Sequence, residues 1–130
     1  MTQKRLLIID DDPDIQAIAE MGVTMLTDWT VLMAESGAEG ISRATQSSPD
    51  AIILDVMMPD MDGVETLKQL QSQVETREIP VIFLTAKVQA RDRMNLYALG
   101  AKGVIAKPFD PLTLASQIAG FLGWSFPQSS

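Results

Sequence analysis

Four consecutive apolar residues, Ala51, Ile52, Ile53 and Leu54, stop on a carboxylate, Asp55. A short apolar run with no polar residue alternating through it is the pattern of a strand covered on both faces. Pro59 and Gly63 then punctuate the stretch MMPDMDG and mark a loop before the next helical pattern. The combination predicts a central parallel strand with a carboxylate at its C-terminal end, where open α/β sheets place their chemistry. An Asp in isolation also reads as a cap or turn residue. The rest of the chain decides between the two.

Strand and helix patterns alternate from end to end, which favours a parallel sheet. Leu6 to Ile9 form a first apolar run, stopped by Asp10, Asp11 and Asp12. Pro13 and Asp14 suit the first turn of a helix, where the missing proline donor costs nothing and acids complement the dipole. Ile15, Ile18, Ala19, Gly22, Met25 and Leu26 recur at helical spacing as its core face. A second strand is predicted over Thr30 to Ala34, and a helix near Ala38 to Gln46. After Gly63, Val64, Leu67, Leu70 and Val74 mark a third helix. Val81 to Leu84 form a fourth strand ending on Thr85. A polar helix over about Val88 to Leu99 follows, with Met94, Tyr97 and Ala98 as its apolar side. A short fifth strand, Val104 to Ala106, ends on Lys107, and a last helix runs from Leu112 to about Leu122. The expected fold is a doubly wound, flavodoxin-like five-stranded parallel sheet, order 2-1-3-4-5, with five helices and a crevice between strands 1 and 3. Residues 1–123 form one domain in this reading, and 124–130 a loose C-terminal tail.

The absences narrow the chemistry. The 130 residues contain no Cys, so thiol catalysis and Cys metal sites are excluded. They contain no His, which removes a His base, a phosphohistidine on this chain and imidazole-held zinc or iron. Any metal must be held by oxygen, which points to Mg²⁺, Ca²⁺ or Mn²⁺. A net charge of −7 argues against direct nucleic-acid binding, whose footprint is a basic patch. No apolar run reaches transmembrane length and no signal peptide is visible. The expected location is the cytoplasm.

Four predicted strands end on reactive side chains: Asp10 and Asp11, Asp55, Thr85, and Lys107. In a 2-1-3-4-5 sheet those strands are neighbours, so the groups converge on one edge. Three close carboxylates repel, and one of them takes a raised pKa unless a cation is bound. Mg²⁺ suits such a site because it takes few carboxylates and keeps waters that a phosphate can replace. An Asp can be a nucleophile and form an aspartyl-phosphate. A metal, a Lys and a hydroxyl supply the charge cancellation that phosphoryl transfer needs.

The pieces LLIIDDDP at 6–13, ILDVMMPDMDG at 53–63, VIFLTA at 81–86 and GAKGVIAKPF at 100–109 together resemble the receiver domain of two-component response regulators, over essentially all of residues 4–123. The resemblance implies a phosphorylation-dependent signalling switch rather than a metabolic enzyme. It implies Asp55 as phosphoacceptor and metal ligand, Asp11 as a direct Mg²⁺ ligand, and Asp10 acting largely through water, with Mn²⁺ as a substitute ion. Met57 would give its backbone carbonyl to the metal. Thr85, the Ala86 backbone N–H and Lys107 would bind the phosphoryl group, and Lys107-Pro108 would be cis. The implied donor is a histidine kinase or phosphotransfer protein. The implied partner surface is helix 4, strand 5 and helix 5, roughly Ala90 to Leu122. Phosphorylation-linked homodimers are a family behaviour. No output domain lies in these residues, so a stand-alone receiver and one cut from a longer regulator both fit. Asp12 occupies the variable position after the acidic pair and stays outside the site.

Two departures from the family pattern carry expectations. The strand 5 position that often holds a switching Tyr or Phe is Val104, which has no ring to swing. Output is then expected through Thr85 and its following loop and helix. Met57 and Lys87 flank the path of an attacking water, and Met57 offers no group to orient it, which predicts a long-lived aspartyl-phosphate. A rival reading is a haloacid-dehalogenase-like phosphatase, with Asp10 as nucleophile and Asp12 as general acid/base. It leaves the MPDMDG loop unexplained, and the chain is short for that class. A flavin-binding flavodoxin is disfavoured by the acidic loop after strand 1 and the lack of a phosphate cradle.

Overall fold

The computed structural model describes residues 4–86 and 89–125. Five strands and five helices alternate: β1 (Arg5–Ile9), α1 (Pro13–Leu26), β2 (Thr30–Ala34), α2 (Gly37–Ser47), β3 (Ala51–Asp55), α3 (Gly63–Gln71), β4 (Val81–Thr85), α4 (Ala90–Ala98), β5 (Gly103–Ala106) and α5 (Leu114–Leu122). All four strand pairings are parallel and the order is β2-β1-β3-β4-β5. This is the doubly wound, receiver-like sheet that the sequence predicts.

Strand residues alternate between the two faces, because successive side chains point to opposite sides. Leu6, Ile8, Ile53, Ile82, Leu84 and Ile105 meet α1 and α5 through Ala19, Val23, Leu114, Ala115 and Ile118. Leu7, Ile9, Ile52, Leu54, Phe83 and Val104 meet the other helical layer through Ala44, Leu67, Leu70 and Leu96. Covering both faces explains the unbroken apolar runs: every residue of β3 and β4 is buried. At the opposite edge from the strand ends, Trp29 and Trp124 meet edge to face with centroids 5.1 Å apart, and the Lys4 ammonium lies 4.9 Å over the Trp124 ring. Phe126, its aromatic neighbour in sequence, lies outside the described residues.

Three helix faces differ from the sequence reading. In α1 the buried residues are Gln16, Ala19, Gly22 and Val23, while Ile18 and Met25 are exposed. The stripe is rotated because Gly22 lets α1 close on the loop before α5: a Cβ there would lie 2.4 Å from the Pro111 carbonyl oxygen. In α4 the core contact is Leu96, and Met94 and Tyr97 face outward. The helix is so polar that the spacing of its few apolar residues does not mark Leu96 as the one that meets the core. Val74 lies past the end of α3 and is exposed, and α5 begins at Leu114, after a turn through 111–113. The predicted start of the fourth helix at Val88 lies outside the described residues.

Candidate functional site

The sheet brings Asp10, Asp11, Asp55, Thr85 and Lys107 to one edge because β1, β3, β4 and β5 are adjacent and parallel. One carboxylate oxygen from each of Asp10, Asp11 and Asp55 lies within 4.8 Å of the others. The Lys107 ammonium bridges two of them, 3.0 Å from Asp10 Oδ2 and 3.2 Å from Asp55 Oδ1. Asp10 is fully buried and Asp55 is 4% exposed, whereas Asp11 is exposed at the rim. Lys107 reaches inward from the end of β5, and its peptide bond to Pro108 is cis.

Burial pushes the Asp55 carboxyl above its ordinary range, and the neighbouring Asp10 carboxylate pushes it further. The Lys107 ammonium and the Met57 N–H act the other way without overturning the shift. For Lys107, burial disfavours the charge, but hydrogen bonding and attraction to Asp10 and Asp55 outweigh it and raise the pKa. Buried Asp10 Oδ2 makes no well-directed hydrogen bond among the described residues, although it faces the ammonium. An acid cluster with a raised pKa and an underused buried oxygen is a donor set suited to a hard divalent cation. Receiver domains bind Mg²⁺ in such an acidic pocket, and the residues present here fit that ion.

Local geometry holds the acids in place. Asp12 N–H donates to Asp10 Oδ1 at 2.9 Å. The Asp12 side chain turns away and caps α1, accepting from the N–H groups of Asp14 and Ile15. It therefore does not reach into the site as an acid/base residue. Met57 N–H lies 3.3 Å from Asp55 Oδ1, while its side chain is 60% exposed. Gly63 lets α3 start directly against the end of β3, since a Cβ would lie 2.4 Å from the Asp55 carbonyl oxygen. Its N–H donates to the Val56 carbonyl at 2.8 Å and closes the loop.

Thr85 is buried at the end of β4 and Ala86 beside it is exposed. Val104 is buried in the layer with Phe83 and Leu96. Lys87, expected to flank the water path, lies outside the described residues. One polar residue escaped the sequence reading. Gln16 is buried in α1, and its side-chain NH₂ donates to the carbonyls of Asp10 (2.9 Å) and Ala34 (2.8 Å). The available signal was a lone amide interrupting the apolar stripe of a helix that follows the acidic run.

The sequence model of the response regulator receiver domain matches residues 6–119. Protein PilH of Pseudomonas aeruginosa is 35% identical over 118 residues, covering 91% of this chain and 97% of PilH. The DNA-binding dual master transcriptional regulator RpaA of Synechocystis is 36% identical, covering 91% of this chain but 48% of RpaA. The chain spans about half the length of most of the curated relatives it matches. The chemotaxis protein CheY4 of Vibrio cholerae superposes with a TM-score of 0.85 at 28% identity, covering 92% of this chain and 99% of CheY4. Fold, family match and acidic pocket agree: the chain belongs to the response regulator receiver domains, the phosphoacceptor signalling switches of two-component systems.

Proposed function

We propose that this chain accepts a phosphoryl group on Asp55, from a histidine kinase or phosphotransfer protein, and that the modification changes its partner surface. The observation that carries the reading is the convergence of three carboxylates within 4.8 Å with an ammonium bridging Asp10 and Asp55. An Asp55 oxygen attacks phosphorus in line, and the bond from phosphorus to the donor's nitrogen or oxygen breaks as the new O–P bond forms. Asp11, Asp55 and the Met57 carbonyl would hold Mg²⁺, or Mn²⁺ in its place, with Asp10 acting largely through water, and the ion would supply cancellation of the phosphoryl charge. Lys107 exchanges its ion pair with Asp55 for one with the phosphoryl group. The Thr85 hydroxyl and the Ala86 N–H bind further phosphoryl oxygens.

The new group adds about two negative charges and three acceptor oxygens. Its pull on Thr85 biases the adjoining loop and α4, with the surface of α4, β5 and α5 reading the change to a protein target. Val104 carries no ring, so the signal travels without an aromatic rotamer switch. A phosphorylation-linked homodimer and a cytoplasmic setting belong to the same reading. No described helix is long and apolar enough to cross a membrane.

The test is incubation with acetyl phosphate and Mg²⁺, read by intact mass. One phosphoryl group is expected, dependent on Mg²⁺ and absent in Asp55→Asn. Labelling that survives Asp55→Asn overturns the assignment.

A further inference from the structure

We infer that Gln16 is a positioning residue for the metal-binding acidic pair, through the Asp10 main chain. The inference rests on the metal site proposed above and assigns a new member to it.

The backbone at Asp10 has just left the sheet. β1 ends at Ile9, and its last paired residues are Ile9 with Ala34 on one side and Leu54 on the other. Asp10 N–H still donates to the Ala34 carbonyl at 3.1 Å, but the Asp10 carbonyl has passed the last paired register on both sides. A buried carbonyl in that position needs a partner. Gln16, one turn into α1 and 8% exposed, supplies it at 2.9 Å and bonds the Ala34 carbonyl at 2.8 Å with the same nitrogen. Both hydrogens of the amide are thereby used on the ends of two neighbouring strands.

The consequence reaches the carboxylates through the peptide plane. The Asp10 carbonyl and the Asp11 N–H belong to one rigid plane, so fixing the carbonyl fixes the direction in which Asp11 leaves the strand. Asp10 is then held at three points: N–H by Ala34, carbonyl by Gln16, and Oδ1 by the Asp12 N–H at 2.9 Å. Only Oδ2 remains for the ammonium. A metal site gains affinity when its ligands are held in place before binding, and loss of such support typically weakens affinity roughly ten- to a hundredfold.

The test is Mn²⁺ affinity, by electron paramagnetic resonance titration of the folded protein, for the wild type and Gln16→Met. Met matches Gln in length and volume and donates nothing. The dissociation constant is expected to rise about tenfold, with a matching rise in the Mg²⁺ concentration needed for half-maximal labelling of Asp55 by acetyl phosphate. A purely structural Gln16 would lower the melting temperature and leave the metal constant of the folded protein unchanged, and that result overturns the inference. Gln16→Asn keeps the amide but is one methylene too short to bridge both carbonyls, and carries the same expectation if the Met variant does not fold. Wild-type protein that neither binds Mn²⁺ nor is labelled would instead refute the metal site itself.

Discussion

Asp55, the phosphoacceptor in the reading proposed above, sits where its charge is disfavoured by burial and by Asp10. Burial and the Asp10 charge raise its pKa above the ordinary 3.8, so the folded chain binds its proton more tightly than the unfolded chain does. Stability contributed by the protonated form is present in acid and lost as pH rises from 3.8 through the folded pKa. At neutral pH, metal-free protein therefore carries an unrelieved cost. Asp55→Asn is expected to stabilise the metal-free fold by about 1 kcal/mol, a gain typical of relieving a functional site. Urea unfolding at neutral pH checks this, and the gain should shrink as pH falls through that window. Added Mg²⁺ should stabilise the wild type and not the variant, because a ligand stabilises only the state that binds it. Lys107 shows the same direction of linkage in a different pH range: its raised pKa contributes stability that is fully present below the ordinary 10.5 and lost as pH rises through its folded value. Met57 makes a second prediction. Its exposed thioether offers no strong hydrogen-bond partner to an incoming water, so Met57→Asn is expected to shorten the phosphoryl half-life several-fold, measured by decay of the labelled mass. An unchanged half-life would contradict that role.

Among the elements, strands were more legible than helix faces, for a physical reason. A strand buried on both sides leaves a continuous apolar run, and Ala51–Asp55 and Val81–Thr85 are read directly. The site followed from the strands, because the residue ending each run is the residue at the functional edge. Helix faces depend on which apolar residues the neighbours accept. In α1, Gly22 and Gln16 bring the helix close to the Pro111 carbonyl and the ends of β1 and β2, leaving Ile18 and Met25 outside. No local pattern reveals a contact with a loop 89 positions further along. In α4, Leu96 alone is buried while Met94 is 70% exposed. Leu96→Ala is accordingly expected to cost about 2–3 kcal/mol, and Met94→Ala less than about 0.5 kcal/mol. Thermal or urea unfolding of the two variants separates the faces, and a reversed order would refute the orientation of α4. Gln16 was missed for a related reason: its partners are backbone carbonyls, which carry no sequence signal.

On the scale of the whole molecule, the two edges of the sheet do different work. One edge gathers charge that the fold itself does not want, in Asp10, Asp11 and Asp55. The other edge is closed by apolar and cation–π contacts, with Trp29 and Lys4 both packed on Trp124. Stability is supplied by two continuous cores on either face of the sheet, which leaves the strand ends free to hold a cluster of mutually repelling carboxylates. The proposed switch rests on one chemical event at that cluster, phosphorylation of Asp55. Its most direct measurement is site mapping after acetyl phosphate treatment: borohydride reduction converts an aspartyl-phosphate to homoserine, and peptide mass spectrometry locates the converted residue. Conversion is expected at Asp55 alone and only with Mg²⁺ present. Conversion at Asp10, or none at Asp55 in protein shown to bind Mg²⁺, would contradict it.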